Sequence, residues 1–311
     1  MSGNKDYVIG VDIGGSHIAC CAVDPAAGEI VENTVVDEPV DSKAGKTEIL
    51  DTWSKAVRTV VAGRGNTAPE GIGFAMPGPF DYRTGVAGFS GNDKYDSLYG
   101  VNVAEELAAS LGLASPLRFI NDATAFAVGS AWRGAGKRYR RIVAATLGTG
   151  FGSAFVADGV PVVSGDAVPE HGCVWHLPFE DGIADDYIST RWVVERFADL
   201  KGYRIEGVKG AAERAAHDAG VRAVFERYGR NLGEILGPWI GRFDAQALIF
   251  GGNVAGAIDL FGPALLQALA EHGADVAVEV CPLRDKAALL GAARLFESGF
   301  WRRIEDDLPR A

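Results

Sequence analysis

Apolar and polar positions along the chain alternate in two ways, which predict a succession of strands and helices. β-rich runs on either side of a pair of glycines predict a hairpin over residues 7–24, and the same layout returns over residues 141–159. Further buried strands are predicted at 71–76, 117–121 and 247–250. Apolar residues spaced three or four apart predict helices at 46–62, 103–113, 187–200, 211–239 and 287–296. Each hairpin is thus followed by its own helices and strands, which predicts two related α/β lobes.

The boundary between the lobes is not marked by a low-complexity tract or a long linker. We place it near 116–119, which predicts an N-terminal α/β lobe over 1–117 and a C-terminal α/β lobe over 118–286. The last helical segment, 287–311, is expected to fold back onto the N-terminal lobe. A central cleft between the two lobes is expected from this arrangement.

Composition and charge narrow the class of protein. The chain has 311 residues and 48% hydrophobic content, which is enough core for two domains of ordinary size. Its formal net charge of -11 disfavours nucleic-acid binding, and the basic run at 136–141 is interpreted as a solvated loop. The sequence shows no signal-peptide pattern and no apolar run of about eighteen residues, so we expect a cytoplasmic protein without a membrane partner. The cysteines, at 20, 21, 173 and 281, lack the spacing of a zinc site.

Glycines at the tips of the two hairpins indicate polyphosphate binding, because backbone N–H groups without a neighbouring Cβ can approach an anion closely. They are Gly14 and Gly15 in the first hairpin, and Gly148 and Gly150 in the second. The second glycine run precedes a strand and not a helix, which argues against a Rossmann turn, and the sequence contains no Walker motif. Asp12, at the end of the first strand, is a candidate to hold hydrated Mg²⁺; the alternative is a turn-capping aspartate.

A second group of polar residues lies where a buried strand ends and a helix begins. Asn121 and Asp122 stand at this junction, a common position for ligand sites in α/β folds. A carboxylate can accept the proton of an acceptor hydroxyl and aim that hydroxyl at a γ-phosphorus, so Asp122 is the candidate base for phosphoryl transfer. The alternative is that Asp122 serves as a helix N-cap.

Six motifs together resemble the ROK family of bacterial sugar kinases. They are DIGGSH at 12–17, MPGP at 76–79, IND at 120–122, LGTGFG at 147–152, IFGGNVA at 249–255 and LLGAARL at 289–295. The resemblance implies a two-lobed actin-like ATPase (ribonuclease H-like) fold, ATP and Mg²⁺ as cofactors, and a homodimer. It implies that the phosphates are surrounded by Asp12, Gly14, Gly15, Ser16, Gly148, Thr149 and Gly150. It places Gly251 and Gly252 against the adenosine, and Gly78, Asn121 and Asp122 facing the sugar.

The chain departs from the family pattern in the segment that binds the sugar. Family members usually carry Glu-x-Gly-His followed by a cysteine-rich zinc motif, whereas this chain has EHGCVWHLPFEDGIADDYIS at 170–189. The simplest register matches Glu170 to the family Glu and puts Cys173 where the His is expected; a shifted register keeps His176 as the imidazole. Asp185 stands in place of a later sugar-binding Glu. Zinc is not expected, and we expect the apolar side chains of Trp175, Phe179 and Tyr187 to anchor the loop.

The altered loop leaves the acceptor open. We expect an ATP-dependent hexose kinase acting on the 6-OH of an aminohexose such as 3-amino-glucose (kanosamine), or of glucose itself. The alternative functions are a cyclitol kinase, a catalytically silent sugar-binding sensor, and a repressor-like family member. Only eleven residues precede Asp12, which disfavours a repressor with a preceding DNA-binding domain.

Overall fold

The computed structural model describes residues 6–91 and 94–309, beginning with a run of strands. The first hairpin consists of β1 (Val8–Ile13) and β2 (His17–Asp24). It is followed by β3 (Glu29–Ile30) and β4 (Val36–Pro39). Helix α1 (Lys46–Gly63) leads to β5 (Ile72–Met76), β6 (Phe80–Asp81) and β7 (Val86–Ala87). These are followed by α2 (Val103–Leu111), β8 (Leu117–Asn121) and α3 (Asp122–Arg133).

The second part of the chain repeats the succession of a hairpin, helices and further strands. Its strands are β9 (Arg141–Leu147), β10 (Phe151–Ala157), β11 (Val160–Pro161), β12 (Pro178–Phe179), β13 (Gly182–Ile183), β14 (Ala247–Gly251) and β15 (Ala277–Val280). Its helices are α4 (Ala184–Tyr187), α5 (Thr190–Lys201), α6 (Gly207–Ala215), α7 (Ala219–Phe243) and α8 (Ile258–Glu271). The chain then closes with α9 (Lys286–Ala293) and α10 (Ser298–Ile304).

The contacts within the chain divide it into two units. Unit 1 runs to Gly134 and takes up the chain again from Asp285, and unit 2 is Ala135–Arg284. This division differs from the boundary expected near residue 117. The difference arises because β8 pairs in parallel with β5 and because α3 packs closely on α9, so both elements remain in unit 1.

The two units are built around sheets with the same strand order. In unit 1 the order is β3-β2-β1-β5-β8, with β4 also paired to β2. In unit 2 the order is β11-β10-β9-β14-β15. In both sheets the central strand pairs antiparallel with the second strand of its hairpin and parallel with the strand on its other side. Both predicted hairpins and the prediction of two related α/β halves are therefore confirmed.

Two predicted helices end differently in the structure. The helical pattern at 211–239 forms two helices, α6 and α7, because the Asp218 carboxylate caps a new helix by accepting hydrogen bonds from Gly220 N (3.0 Å) and Val221 N (3.2 Å). The predicted helix at 287–296 ends as α9 at Ala293 and continues as a single 3-10 turn to Phe296. The strands and the remaining helices lie within a few residues of their predicted positions.

One helical stretch, Asn253–Glu271, has the length and composition that a membrane span requires, with a mean hydropathy of 1.3. In this structure 44% of it is buried inside the protein, where α8 packs on α7. The packing is close, because a methyl group on Gly229 of α7 would stand only 2.0 Å from Phe261 O of α8. A helix in the core of a globular unit can have the same length and composition, so this stretch is weak evidence for a membrane span.

Helices α3 and α9 of unit 1 also touch backbone to backbone. A methyl group added to Gly129 of α3 would stand 1.8 Å from Ala287 O, and one added to Gly291 of α9 would stand 1.9 Å from Ala125 O. Such separations are far below van der Waals contact, so each crossing point requires a residue without a Cβ. The crossing fixes the start of α3 relative to the C-terminal segment.

Candidate functional site

The tip of the first hairpin presents an acid and two glycines in a close turn. Asp12 is the last residue of β1 that pairs with β5, in register with Ala75, and Ile13 still pairs with β2. Gly14 N donates a hydrogen bond to His17 O at 3.0 Å, so this N–H is satisfied without the Asp12 carboxylate. A methyl group on Gly14 would stand 2.7 Å from the His17 ring. A side chain at Gly14 would therefore require the His17 ring to shift, and Ser16 lies exposed at the tip of the turn.

The charge on Asp12 is opposed by its surroundings. Burial raises the pKa of Asp12 to about 8, and the nearby carboxylates of Asp122 and Asp285 add to the rise. Without a ligand, Asp12 therefore holds a proton at neutral pH. A cation at this point would offset the burial and the repulsion, and would favour the ionised form. This electrostatic arrangement suits a metal-associated carboxylate better than a turn cap.

Asn121 and Asp122 form the second polar group of unit 1, at the junction of β8 and α3. Asn121 is the N-cap of α3, where its Oδ1 accepts a hydrogen bond from Thr124 N at 3.1 Å. Its Nδ2 donates to Asp122 Oδ1 at 2.9 Å, and Asp122 Oδ1 also accepts from Ala123 N at 2.8 Å. The alternative that Asp122 is the helix N-cap is therefore wrong, because Asn121 fills that position.

The Asp122 carboxyl is tuned by opposing effects. Burial raises its pKa above the ordinary aspartate value. The hydrogen bonds from Ala123 N and the Asn121 amide, together with the positive charge of Lys94, act in the opposite direction. A carboxylate that is partly desolvated and yet hydrogen-bonded is more basic than a solvated one, which suits a group that accepts a proton.

Three residues around Asp12 and Asn121 were not singled out by the sequence. The Tyr82 hydroxyl donates to Met76 O at 3.2 Å and accepts from Asn121 Nδ2 at 3.2 Å, and a methyl group on Gly78 would stand 3.5 Å from it. Tyr95 donates to Gly14 O, and Asp285 contributes its charge to the Asp12 environment. Tyr82 lies close to the MPGP motif and Asp285 close to the LLGAARL motif, and this proximity could have identified them as site residues. No sequence motif lies next to Tyr95, so the sequence provides no comparable indication for it.

The second hairpin, in unit 2, is held by residues that follow the altered loop. Gly148 O accepts hydrogen bonds from Thr190 N at 2.9 Å and from Thr190 Oγ1 at 2.8 Å. Asp185 Oδ1 accepts from Phe151 N at 2.6 Å. Thr149 and Gly150 are exposed at the tip, and a methyl group on Gly150 would stand 3.2 Å from Asp185 Oδ1. Asp185 thus supports the hairpin, a contact that the sequence did not indicate.

The two glycines that end β14 lie beside this hairpin. Gly251 pairs with Thr146 of β9. Gly252 has φ +80°, and a methyl group there would stand 2.4 Å from Leu147 O. Both the backbone conformation and the space therefore require glycine at this position. Unit 2 brings the predicted phosphate turn and the predicted adenosine glycines together.

The altered loop places Cys173 and His176 side by side. Cys173 Sγ lies 3.8 Å from His176 Nδ1, so the two residues that compete for the family His position occupy neighbouring space. Burial raises the pKa of Cys173 to about 11, which keeps the thiol protonated at neutral pH. The Glu170 side chain is 79% exposed and stands 3.8 Å from His171 Nε2.

The loop is anchored by different apolar residues from those expected. Trp175 is 46% exposed, so the expectation that it anchors the loop is wrong. Val174 points inward in its place and is fully buried, and its backbone N–H donates to Ser153 Oγ at 2.9 Å. Phe179 and Tyr187 do pack on the core of unit 2, with their rings edge to face at 5.2 Å, as predicted.

We expect the Asp185→Ala variant to show whether Asp185 serves the phosphate turn or the sugar. Losing the hydrogen bond to Phe151 N should loosen the turn and raise the Kd for ATP about 10-fold, with less change in the KM for the acceptor. Asp186→Ala is the control for losing a neighbouring carboxylate of α4, because among the described residues Asp186 contacts Arg191 at 3.2 Å and Ile183 N at 3.1 Å but not the hairpin. A rise in the acceptor KM alone would instead make Asp185 a sugar ligand, as the sequence resemblance implies.

The residues of unit 1 fit magnesium better than a directly ligated structural metal. Within the described ranges 6–91 and 94–309, no group of three His, Cys, Asp or Glu side chains is arranged to hold a metal ion. Mg²⁺ usually keeps several waters and takes one or two carboxylates, which matches the single Asp12 carboxylate at the hairpin. That the protein needs no zinc stays a prediction.

Comparisons with known proteins agree with this geometry. The model of the ROK family matches residues 8–298. The chain is 27% identical to a glucokinase from Thermotoga maritima, over 94% of this chain and 98% of that protein. It is 26% identical to an N-acetyl-D-glucosamine kinase from Haemophilus influenzae, over 92% of this chain and 98% of that protein. A ROK hexokinase from Thermus thermophilus has a TM-score of 0.78 at 22% identity, covering 96% and 99% of the two chains.

The family match extends over both hairpins, over the junction of β8 and α3, and over the glycines that end β14. It therefore includes the motifs on which the resemblance rested, in both units of the structure. The expected two-lobed, actin-like ATPase fold is likewise confirmed by the similarity to the hexokinase structure. This chain belongs to the ROK family.

Proposed function

We propose that this protein is an ATP-dependent sugar kinase that transfers the γ-phosphoryl group of ATP to the 6-OH of a hexose. The observation that carries the proposal is the Asp122 carboxylate, held at the start of α3 by Ala123 N and the Asn121 amide and electrostatically coupled to Asp12. The names of the related glucokinase and N-acetyl-D-glucosamine kinase support the same class of reaction.

Asp122 is the general base in this proposal. The acceptor hydroxyl donates its proton to the Asp122 carboxylate while its oxygen forms a bond to the γ-phosphorus. The bond from the γ-phosphorus to the bridging oxygen breaks, and ADP leaves with the electron pair. The Asn121 amide keeps the carboxylate aimed at the acceptor, because it donates to the same oxygen that receives Ala123 N. A sugar fits the site only if its reacting hydroxyl reaches this carboxylate.

The nucleotide is assigned to the two glycine hairpins. We assign Gly14, Gly15 and Ser16 of unit 1, and Gly148, Thr149 and Gly150 of unit 2, to the phosphates. Gly251 and Gly252 are assigned to the adenosine. Asp12 would hold Mg²⁺ through water, and the ion would supply positive charge to the polyphosphate when it is bound.

The acceptor class is proposed from the altered loop. A protonated Cys173 thiol is a weaker hydrogen-bonding partner than an imidazole, and the neighbouring His176 can supply the stronger one. Together with Glu170 and Asp185 they form a polar set that differs from the family pattern. This set favours a substituted ring, such as an aminohexose (3-amino-glucose), over unmodified glucose, with a cyclitol as the alternative.

The assembly and location are proposed from the family. We propose a cytoplasmic homodimer that has a small-molecule sugar as its partner and no nucleic-acid or membrane partner. A catalytically silent sensor is the rival within the same fold. The kinase is favoured because a sensor needs neither the raised pKa of Asp122 nor the acid cluster around Asp12.

The pH dependence of the reaction should follow the Asp122 carboxyl. Because burial raises its pKa and the base must be ionised, kcat/KM should fall on acidification at a higher pH than an ordinary aspartate would allow. Asn121→Asp keeps the N-cap oxygen but replaces a hydrogen-bond donor with a negative charge. The acid limb should then move to higher pH by about one unit or more.

Asn102→Asp is the matched control for this prediction. Asn102 caps α2 through the same kind of bond, accepting Glu105 N at 3.2 Å, and lies outside the acid cluster. Its substitution should leave the pH profile unchanged. An unchanged acid limb in Asn121→Asp would mean that Asp122 is not the group that titrates.

The experiment that tests the function is ADP release from Mg-ATP with a panel of acceptors. The panel contains glucose, mannose, fructose, glucosamine, 3-amino-glucose, N-acetylated hexosamines and cyclitols, with Asp122→Asn as the inactive control. Acceptor-dependent release that is lost in the variant establishes the kinase and identifies its substrate. A strong preference for unmodified glucose over every analogue would contradict the proposed acceptor class, and no release with any acceptor would favour the sensor.

A further inference from the structure

Lys94 places a positive charge at the tip of the first hairpin. A methyl group on Gly15 would stand 3.1 Å from Lys94 Nζ and 3.0 Å from its Cε, so the end of this side chain lies directly over Gly15. The same ammonium group acts on the Asp122 carboxyl. Burial raises the pKa of Asp122, and the positive charge of Lys94 acts to lower it. Lys94 therefore lies between the glycine turn assigned to phosphate and the proposed base, all within unit 1.

The position of Lys94 is fixed by the next residue along the chain. Tyr95 is fully buried, and its hydroxyl donates to Gly14 O at 2.5 Å. Its ring packs edge to face on Trp53 at 5.3 Å between centroids, and its backbone N–H donates to Ser42 O at 2.7 Å. Tyr95 adopts φ +59°, a conformation that is costly for a bulky residue and persists only where the surroundings determine it. The hairpin carbonyl and the lysine backbone are thus held together.

Among the residues that the structure describes, the Lys94 ammonium group forms no direct ion pair. Across residues 6–91 and 94–309, no carboxylate oxygen lies within 4.0 Å of Lys94 Nζ, although the charge of Lys94 acts on the Asp122 carboxyl. The charge of Lys94 thus reaches the Asp122 carboxyl without forming an ion pair with it. An ammonium group that is held near a glycine turn without a paired carboxylate is suited to bind an anion that arrives with the substrate.

We infer that Lys94 is a catalytic residue whose ammonium group binds the phosphoryl group in transfer, over Gly15 and next to Asp122. This inference rests on the proposed kinase function. During the step the acceptor oxygen bonds to the γ-phosphorus, the bond to the bridging oxygen of ADP breaks, and the acceptor proton goes to Asp122. The Lys94 ammonium group contacts the oxygens of the phosphoryl group, where it stabilises negative charge.

The inference is tested first by nucleotide binding, which needs no knowledge of the acceptor. Dissociation constants for ADP and for the non-hydrolysable analogue AMPPNP are measured by calorimetry, with Mg²⁺, for the parent protein and for Lys94→Met. Because Lys94 is assigned to the γ-phosphoryl group only, the variant should bind AMPPNP about 10-fold more weakly, with ADP changed far less. Lys94→Arg keeps the charge and should recover part of the loss.

The turnover arm uses the acceptor found with the panel. Lys94→Met should lower kcat about 10²-fold at saturating ATP and acceptor, while the KM for the acceptor changes little. Lys55→Met is the matched control, because Lys55 is 68% exposed and stands 4.0 Å from Glu38 on the surface of α1. It should behave as the parent in both arms.

The possible outcomes separate the two proposals. Equal loss of ADP and AMPPNP affinity, or no loss of either, overturns the role of Lys94 and leaves the kinase proposal standing. A rise in the acceptor KM alone makes Lys94 a sugar ligand and also overturns the inference. If the parent protein binds neither nucleotide, the kinase proposal itself fails, and the inference fails with it.

Discussion

Asp122→Asn should lower kcat for acceptor-dependent ADP release about 10³-fold, because an amide cannot take the acceptor proton. The amide has nearly the same shape as the carboxyl, and its oxygen can still accept from Ala123 N, so the start of α3 should be preserved. The measurement is single-turnover and steady-state ADP release at saturating Mg-ATP and acceptor. Retention of more than about a tenth of the parent rate would exclude Asp122 as the base.

The stability of this variant provides an independent check on the environment of Asp122. Burial raises the pKa of the folded-state carboxyl above the unfolded value, so the native state holds this proton more tightly than the unfolded chain. As the pH rises past the unfolded pKa, ionisation of this group therefore costs native stability. Asparagine has no such cost, so the melting temperature of Asp122→Asn relative to the parent should be higher at pH 8 than at a pH below the unfolded aspartate pKa of about 3.9.

Asp259→Asn is the matched control for both measurements. Asp259 lies in the first turn of α8, as Asp122 lies in the first turn of α3. Asp259 is exposed, however, and is not one of the carboxylates that act on Asp12. Its loss changes only the interaction with the helix dipole, which is worth a few tenths of a kcal/mol to about 1 kcal/mol. If Asp122→Asn is inactive but stably folded while Asp259→Asn stays active, the loss of activity arises from the chemical step and not from the helix.

Gly129→Ala should destabilise unit 1 by about 3 kcal/mol or more, which is at the high end for a single added methyl group. The methyl group would stand 1.8 Å from Ala287 O, and backbone atoms on both sides leave no flexible side chain to move away. The helices α3 and α9 would have to separate. Urea denaturation at neutral pH, with fluorescence and circular dichroism as probes, measures the change in unfolding free energy.

Gly63→Ala is the control for this helix-crossing prediction. Gly63 is the last residue of α1, its φ is not positive, and a methyl group there would meet nothing within 4 Å. Alanine at an open helical position should be neutral or stabilising by up to about 1 kcal/mol. A loss of less than about 1 kcal/mol in Gly129→Ala would mean that α3 and α9 are not locked at this point.

Local sequence pattern was sufficient to predict the two hairpins, because a glycine tip between two β-rich runs is encoded in neighbouring residues. Asp12 and Asp122 could be proposed from the sequence because each lies at the end of a buried strand. The lobe boundary could not, because the pairing of β5 with β8 is a long-range contact that no local periodicity reports. Asp185 shows the same limit, since its contact with Phe151 N joins residues that are far apart in sequence.

The site residues that were missed depend on turns and on the ends of long side chains. Lys94 and Tyr95 lie in an irregular segment, where neither helical nor strand spacing applies. Trp175 was expected to be buried because aromatic side chains usually are, yet Val174 takes the inward position of that loop. Which of two neighbouring residues faces inward is decided by tertiary packing against β10, through Ser153, and is not visible in composition.

The return of the C-terminal segment to unit 1 sets the order in which the chain can be completed during synthesis. Unit 2 is one continuous stretch, Ala135–Arg284, so all of its residues have been made before the chain ends. Unit 1 lacks α9 until the residues after Asp285 are made, and without α9 the crossing at Gly129 has no partner. The part of the protein that is translated first is therefore the last that can close, and its α3 face lacks its partner until α9 has been made.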